Sequence, residues 1–429
     1  MGGSTHFSVF LLAIILLSVL MDFKKDLKDP FGRLSSWIHD VCSNRSGRVI
    51  QLHLQSPASE ILDLADEVVA DPKSPLSDLS KNFLGHVIPR WIFGLTALAS
   101  LDLSDNSIEG PLPRGPWNLT SLQHLDLSFN YLNGSLPDEL IYLNNLISLN
   151  LWGNYFEGFL DGIWNWSSLT SLDLSANNFA TFLPNQLSTL TSLISLDLRD
   201  NDFQGSIPSS IANISNLQYL VLSSNNLSSS LPSEVFTLKD LITLAATSNH
   251  LNGPIPSTVG NCTQLKELRL GDNALSGSIP SNLGRCTKLK YLSLGYNALS
   301  GSIPSNLGRC TKLELLWLPD NALSGSILSN LGRCSQLKEL WLNDNALSGS
   351  IPSNLGKLSS LVHWDVSHNK LTGTLPESLG QLSKLEELHI DDNSMEGIVS
   401  ESHFDNLTAL TYFDASGNSL TLKESEIEE

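Results

Sequence analysis

An asparagine recurs along most of this chain at a nearly constant interval. Fourteen of these asparagines are 24 residues apart, except for one interval of 23 and one of 25. They are Asn106, Asn130, Asn154, Asn177, Asn201, Asn225, Asn249, Asn273, Asn297, Asn321, Asn345, Asn369, Asn393 and Asn418. The sequence around each is a variant of L-x-L-x-x-N-x-L-x-G-x-I-P, and Leu79, Asn82, Leu84, Ile88 and Pro89 form a weaker copy before them. A chain with this period is predicted to fold as an array of stacked coils.

Each position of the repeat has a physical role. The leucines five and three residues before the asparagine alternate with polar residues, as in a short strand with one face inward. The asparagine is expected to turn the chain, because its amide tolerates strained backbone, and to form a ladder of hydrogen bonds with its equivalents. Glycine and proline then favour an extended segment and a short helical turn, such as Ser281 to Gly284. This signature of leucine-rich repeats predicts an α/β solenoid, a right-handed superhelix with a concave parallel sheet.

Composition and the N-terminus indicate a secreted protein. The 429 residues carry a formal net charge of −19, which disfavours nucleic acid as a partner. Residues 1–20 are predicted to be a signal peptide, because Phe7 to Leu20 is apolar apart from two serines and too short to span a bilayer. Eight N-x-[ST] sequons agree with secretion, although an Asn- and Ser-rich chain also produces some by chance. The predicted glycosylation sites are Asn44, Asn118, Asn133, Asn165, Asn213, Asn226, Asn261 and Asn406.

Four of the five cysteines occupy one position of the repeat. Cys262, Cys286, Cys310 and Cys334 are spaced by 24 residues, so they are equivalent positions in four successive repeats. We expect a column of small buried thiols; disulfides between neighbours and a metal site are the alternatives. Cys42 has no obvious partner.

Two parts of the sequence resemble known proteins. Residues 23–37 (FKKDLKDPFGRLSSW) and 46–54 (SGRVIQLHL) resemble the N-terminal cap of plant cell-surface leucine-rich-repeat receptors. Residues 410–423 (LTYFDASGNSLTLK) resemble a segment of receptor-like proteins of the ethylene-inducing-xylanase receptor type. With the G-x-I-P form of the repeats, the resemblance implies plant-type 24-residue repeats and a truncated receptor ectodomain. It further implies a non-catalytic protein that binds an extracellular protein, peptide or glycan in defence signalling and acts through membrane-bound receptor kinases.

The expected organisation has five segments. A signal peptide at 1–20 is followed by a cap at 21–54, incomplete because it keeps only Cys42 where the family has paired cysteines. An irregular segment at 55–76 precedes an array of about 15 repeats at 77–418 and an acidic tail at 419–429. The expected location is extracellular or the cell surface.

The predicted ligand-binding surface is a patch on the concave face. Most outward strand positions hold serine or aspartate, but four consecutive repeats carry aromatic and charged side chains there. Trp317 and Trp341 are predicted to lie in one column of adjacent strands, about 5 Å apart. Aromatic anchors with flanking charges are typical of binding interfaces, and the alternative is a half-buried ladder that only stiffens the sheet. The patch comprises Arg269, Asp272, Tyr291, Tyr296, Trp317, Asp320, Glu339, Trp341 and Asp344.

A histidine-rich group follows on the same predicted face. It comprises His363, Asp365, His368, His389, Asp391 and Asp392. Imidazoles beside carboxylates can bind a metal or respond to acidity, but we interpret the group as a solvated acidic surface with some histidines and assign no metal or cofactor. Trp364 replaces a strand leucine and is predicted to be core.

Motifs of catalysis are missing from the sequence. It contains no G-x-S-x-G elbow, no H-E-x-x-H zinc motif and no kinase H-R-D or D-F-G element, so we expect no enzymatic activity. Besides the recognition ectodomain, two alternatives remain. One is a secreted inhibitor of microbial wall-degrading enzymes, similar to polygalacturonase-inhibiting proteins, and the other is a non-functional truncated paralogue.

Overall fold

The computed structural model describes residues 51–53, 88, 90–94, 96–158 and 163–423, without side-chain detail for 51–53 and 91. The predicted signal peptide, the irregular segment, Cys42 and Asn44 lie outside the described residues. So do the cap apart from 51–53, most of the weaker first repeat and the end of the acidic tail.

The chain divides into two compact units, which are built from the same repeat. Unit 1 comprises Met1–Thr181 and Thr189–Asp202, and unit 2 comprises Phe182–Ser188 and Phe203–Glu429. In both, a repeat runs through a strand of a main parallel sheet, in most repeats a strand of a second parallel sheet, and a short helical turn.

In unit 1 the main sheet contains, in order, Gln51–His53, Ser100–Asp102, His124–Asp126, Ser148–Asn150, Ser171–Asp173 and Ser195–Asp197. The second sheet contains Glu109–Pro111, Tyr131–Ser135 and Tyr155–Glu157. The helical turns are Arg90–Gly94, Asp138–Tyr142 and Ile163–Asn165, and a further turn, Asn185–Thr189, has residues in both units.

In unit 2 the main sheet contains, in order, Tyr219–Val221, Thr243–Ala245, Glu267–Arg269, Tyr291–Ser293, Leu315–Trp317, Glu339–Trp341, His363–Asp365, Glu387–His389 and Tyr412–Asp414. The second sheet contains Gln204–Gly205, Asn226–Ser230, His250–Pro254, Ala274–Ser278, Ala298–Gly301, Ala322–Gly325, Ala346–Gly349, Lys370–Gly373, Ser394–Val399 and Ser419–Leu422. The helical turns are Ser209–Asn213, Ser233–Thr237, Ser257–Asn261, Ser281–Arg285, Ser305–Arg309, Ser329–Arg333, Ser353–Lys357, Glu377–Gln381 and Glu401–His403.

Strand pairing keeps equivalent residues of successive repeats side by side. Leu292 pairs with Leu316, for example, and Leu316 pairs with Leu340. The repeat leucines therefore stack into a continuous core, and all three of these side chains are fully buried. Trp364 takes a leucine position and is 1% exposed, which confirms its predicted place in the core.

The helical segments in the described ranges are all 3-10 helices of at most five residues. Pro280 precedes one of them with an extended backbone, and the Leu283 amide donates to the Pro280 carbonyl at 3.0 Å. A single turn is enough, because the chain must enter the next strand only a few residues later. No helical segment in the described part of the chain has the length and apolar character that crossing a bilayer requires.

The recurring asparagines form the predicted ladder. The Asn297 amide nitrogen donates to the carbonyls of Leu294 and Gly295 at 3.1 Å and to Leu270 of the preceding repeat at 3.0 Å. Its side-chain oxygen accepts from the Leu275 amide at 2.9 Å. Each amide therefore closes its own turn and joins it to the preceding repeat, so we call these residues the ladder asparagines.

The strained backbone at this turn belongs to the residue before each ladder asparagine. That residue has a positive φ in all fourteen repeats, for example 55° at Tyr296 and 68° at Gly153. The expectation that the asparagine itself would take the strained conformation was wrong. A left-handed residue at the end of the strand turns the chain sharply and leaves the next side chain directed at the carbonyls that it binds.

The four cysteines of the repeats are free and fully buried, which confirms the predicted thiol column. The Cys334 thiol lies 3.4 Å from the carbonyl of Cys310, and the Cys286 thiol lies at the same distance from that of Val259. Burial raises the pKa of Cys262 and Cys310 to about 12. These groups are packing elements and not nucleophiles, because only a thiolate reacts readily.

Candidate ligand-binding surface

The predicted tryptophan pair is formed by two adjacent strands of unit 2. Trp317 pairs with Trp341 in register, their ring centroids are 4.9 Å apart and the rings are inclined by 44°. Both side chains are half-buried, so each keeps part of its surface available to a ligand. The Trp341 indole N–H donates to Glu339 at 3.3 Å, which orients that ring, and His363 stacks on its other side at 6.2 Å.

A glycine beneath the pair was not found by sequence reasoning. A Cβ atom at Gly295 would lie 2.7 Å from the Trp317 indole nitrogen and 2.7 Å from a ring carbon of Pro319. Any side chain at this position would push Trp317 away from its observed place. The sequence did offer a clue, because Gly295 lies two residues before Asn297, at one of the outward positions from which the patch was predicted.

One edge of the patch is organised by a cation–π contact. The Arg269 guanidinium lies 5.2 Å from the centroid of the Tyr291 ring and also forms an ion pair with Glu267 at 3.2 Å. This fixes the cation over the sheet beside the tryptophan strands. Ser293 separates it from Trp317, because it pairs with both Arg269 and Trp317 in register.

The other four patch residues lie in the turn that follows each strand, at the position with left-handed backbone. Asp272, Tyr296, Asp320 and Asp344 each precede a ladder asparagine, have positive φ and are exposed. Burial of part of the carboxyl group raises the pKa of Asp320, and the neighbouring charge of Asp344 adds to this. The structure therefore brings all nine predicted residues to the main-sheet face of unit 2 and to the turns that follow it. Their role in binding stays a prediction.

The histidine group forms contacts with carboxylates. His368 lies 3.2 Å from Asp392 and 3.8 Å from Asp391, and one ligand atom from each of the three residues lies within 4.8 Å of the others. His363 is 3.3 Å from Glu387, and His389 stacks on Tyr412 at 4.8 Å. His368 and Asp392 are exposed to solvent, and surface carboxylates beside a histidine are common without a metal.

A second aromatic cluster, in unit 1, was missed. Phe129 and Trp152 have centroids 5.2 Å apart, and Tyr131 stacks on Tyr155 at 6.2 Å. All four are exposed. Phe129 and Trp152 lie one and two residues before a ladder asparagine. The patch of unit 2 was predicted from the same positions of the repeat, so the same rule applied to unit 1 would have found these two residues.

The predicted glycosylation sites within the described ranges are all exposed: Asn118, Asn133, Asn165, Asn213, Asn226, Asn261 and Asn406. Five of them, Asn118, Asn165, Asn213, Asn261 and Asn406, lie twelve residues before a ladder asparagine. Their modification stays a prediction.

Sequence comparison agrees with the repeated, in-register strands. Family models for a leucine-rich repeat region match residues 184–314, and leucine-rich repeat models match residues 78–132, 168–190, 336–358 and 365–420. The fold is a leucine-rich-repeat solenoid. A search of curated proteins found no significant match.

The chain is similar in structure to plant receptor ectodomains. The plant peptide hormone receptor RGFR1, in complex with RGF2, is 33% identical with a TM-score of 0.68, over 76% of this chain and 56% of the receptor. The PEPR1–AtPEP1 structure is 32% identical with a TM-score of 0.75, over 95% of this chain and 58% of the other. The Arabidopsis receptor kinase HAESA, in complex with the peptide hormone IDA and the co-receptor SERK1, is 28% identical with a TM-score of 0.62, over 94% and 78%. The chain thus spans little more than half the length of the first two structures.

Proposed function

We propose that this chain is an extracellular, non-catalytic recognition ectodomain that binds a peptide or protein ligand on the main sheet of unit 2. The observation that carries the proposal is the contact pair Trp317–Trp341, half-buried on an open sheet face and flanked by Arg269, Glu339 and the left-handed aspartates. Aromatic side chains in such surroundings supply most of the energy in many interfaces.

The similarity to receptors solved with peptide hormones supports a peptide or protein ligand. The HAESA structure also contains a co-receptor, which supports a membrane-bound receptor kinase as the signalling partner here. The resemblance of residues 410–423 to receptor-like proteins of the ethylene-inducing-xylanase receptor type supports a role in defence, with a microbial wall-degrading enzyme as the ligand.

The experiment measures binding of the secreted protein to an ethylene-inducing xylanase and to a displayed library of random peptides. We expect binding without hydrolysis of wall glycans and without loss of xylanase activity. Trp317→Ala with Trp341→Ala should abolish binding. The matched control is Phe129→Ala with Trp152→Ala, which removes a more exposed aromatic pair from unit 1 and should leave binding intact.

Three outcomes would count against the proposal. Inhibition of the xylanase or of a polygalacturonase would favour the inhibitor alternative. Loss of binding in the control pair alone would move the ligand to unit 1. If the xylanase and the selected peptides bound the tryptophan variant with the same affinity as the wild type, the tryptophan pair would have no role in binding.

A further inference from the structure

A column of positive charge runs along the helical turns of unit 2. Four successive turns, Ser281–Arg285, Ser305–Arg309, Ser329–Arg333 and Ser353–Lys357, end in an arginine or a lysine. We call Arg285, Arg309, Arg333 and Lys357 the basic strip. All four are exposed, in a chain whose net charge is −19.

Glycines hold the cations of the strip close together. A Cβ atom at Gly284 would lie 2.2 Å from the carbonyl oxygen of Asn306 in the next turn, and the corresponding distances at Gly308 and Gly332 are 2.6 and 2.2 Å. Successive turns therefore pack in direct contact, which places the backbone of each cation close to that of the next. Salt at physiological concentration screens charges over about 8 Å, so a ligand that spans two adjacent turns is attracted by both of their cations.

The cations of the strip form no ion pair with any described residue. Residues 281–290 and 305–313, which form the first two turns and the segments after them, contain no acidic residue, and Glu314 is the first to follow. Lys288 and Lys312 in these segments add further positive charge. Glu314 is already held by two other lysines, Lys290 at 2.7 Å and Lys338 at 3.1 Å. The hydrogen bonds from these lysines lower the pKa of Glu314, so this carboxylate is charged and neutralises Lys290 and Lys338 instead of the strip.

The fourth repeat of the strip differs in sequence from the other three. The residue that follows the cation is cysteine in three of the repeats but Leu358 in the fourth, where the cation is a lysine. A cation is therefore also present where the residues that follow it differ. In other repeats of unit 2 the same position carries a sequon asparagine, at Asn213, Asn261 and Asn406, so the strip lies between potential glycans.

We propose that the basic strip binds a linear acidic polysaccharide, a chain of uronic acid sugars with a regularly spaced carboxylate. Arginine recognises a carboxylate through two parallel hydrogen bonds, and one cation per repeat suits a polymer whose charge is also periodic. The serines and asparagines at the start of the turns, such as Ser281 and Asn282, offer hydrogen bonds to sugar hydroxyls. This binding site is separate from the main-sheet surface of the proposed function.

Other polyanions fit the strip less well. An anionic membrane would meet the whole acidic surface, which it repels, whereas a thin linear chain meets only the strip. Proteins bind single-stranded nucleic acid through aromatic side chains on which the bases stack, and the four turns contain no aromatic residue. A flexible acidic peptide would have to become ordered on binding, which costs affinity that a stiff polysaccharide retains.

The test measures binding of the secreted protein to immobilised polygalacturonate, with the fully methyl-esterified polymer as the neutral control. We expect affinity for the acidic polymer alone, falling at least about tenfold between 50 and 200 mM salt. The quadruple variant Arg285→Gln, Arg309→Gln, Arg333→Gln and Lys357→Gln should bind at least about tenfold more weakly. It should unfold at the wild-type temperature, since the side chains are exposed.

A second quadruple variant keeps the change in net charge but moves it elsewhere. It replaces Arg90, Arg114, Arg199 and Lys370, which are exposed and lie outside the strip, with glutamine and should bind as the wild type does. Equal loss in this control, equal binding of the esterified polymer, or tighter binding to polyglutamate or to anionic vesicles would each overturn the proposal. The variant that lacks Trp317 and Trp341 should retain polygalacturonate binding, so failure of the strip and failure of the proposed function are distinguishable.

Discussion

Removal of one ladder amide should destabilise the protein by an amount that its contacts predict. In Asn297→Ala, the carbonyls of Leu270, Leu294 and Gly295 lose a donor, and the Leu275 amide loses an acceptor. Four backbone groups in two successive repeats are therefore affected by one substitution.

The magnitude follows from how buried these groups are. Four hydrogen bonds at a net value of about 1 kcal/mol each would give roughly 4 kcal/mol if no water could replace the amide. Asn297 is half-buried, so water can reach part of the site, and we expect a loss of about 1–3 kcal/mol in the free energy of unfolding. Asn130→Ala should cost more, because Asn130 is only 4% exposed and its oxygen accepts from two amides.

Urea unfolding followed by circular dichroism measures these differences. The matched control is Asn282→Ala, which removes an exposed asparagine with a single hydrogen bond, to Ser257 at 3.2 Å, and should change stability by less than about 0.5 kcal/mol. The ladder account would be refuted if Asn297→Ala and Asn282→Ala had the same small effect, or if Asn130→Ala cost no more than Asn297→Ala.

Three further results are expected. Trp317→Ala with Trp341→Ala should abolish ligand binding and lower the free energy of unfolding by about 0.5–1.5 kcal/mol for the ring contact, beyond the loss of buried area; a stability loss with binding intact would show that the pair only stiffens the sheet. Tyr296→Asn should weaken binding but leave stability unchanged or slightly higher in thermal melts, because asparagine tolerates the φ of 55° better than tyrosine; a clear loss of stability would contradict this. Burial raises the pKa of Cys286 from 9.0 to about 11, so the folded state keeps a proton that the unfolded state releases, and stability falls as pH rises from 9 towards 11. Cys286→Ala should therefore lose about 1.3 kcal/mol less than the wild type between pH 8 and pH 10, and an identical pH profile would disprove a buried thiol.

Features set by the period of the repeat could be read from the sequence. The inward leucines, the ladder asparagines, the thiol column, the core position of Trp364 and the adjacency of Trp317 and Trp341 were all predicted and are confirmed. Each depends only on equivalent positions of neighbouring repeats lying side by side, and a fixed spacing in sequence guarantees that.

Features set by backbone conformation or by contact between particular repeats were missed. The left-handed residue before each ladder asparagine is aspartate, serine, tyrosine, histidine, phenylalanine, alanine or glycine in different repeats, so the residue type did not reveal the strained backbone. The space that Gly295 leaves for Trp317 depends on where the indole ring of the next repeat lies, and the sequence of one repeat does not specify that position.

The sequence by itself determined that this chain is a stack of similar coils and which column each side chain joins, because one repeat length fixes the register of every strand. Only the tertiary structure decided how far each outward side chain is covered, which cations remain without an acidic neighbour and how Arg269 and Tyr291 meet. These properties depend on distances between atoms of different repeats. The folded backbone sets those distances, and the identity of the residues alone leaves them open.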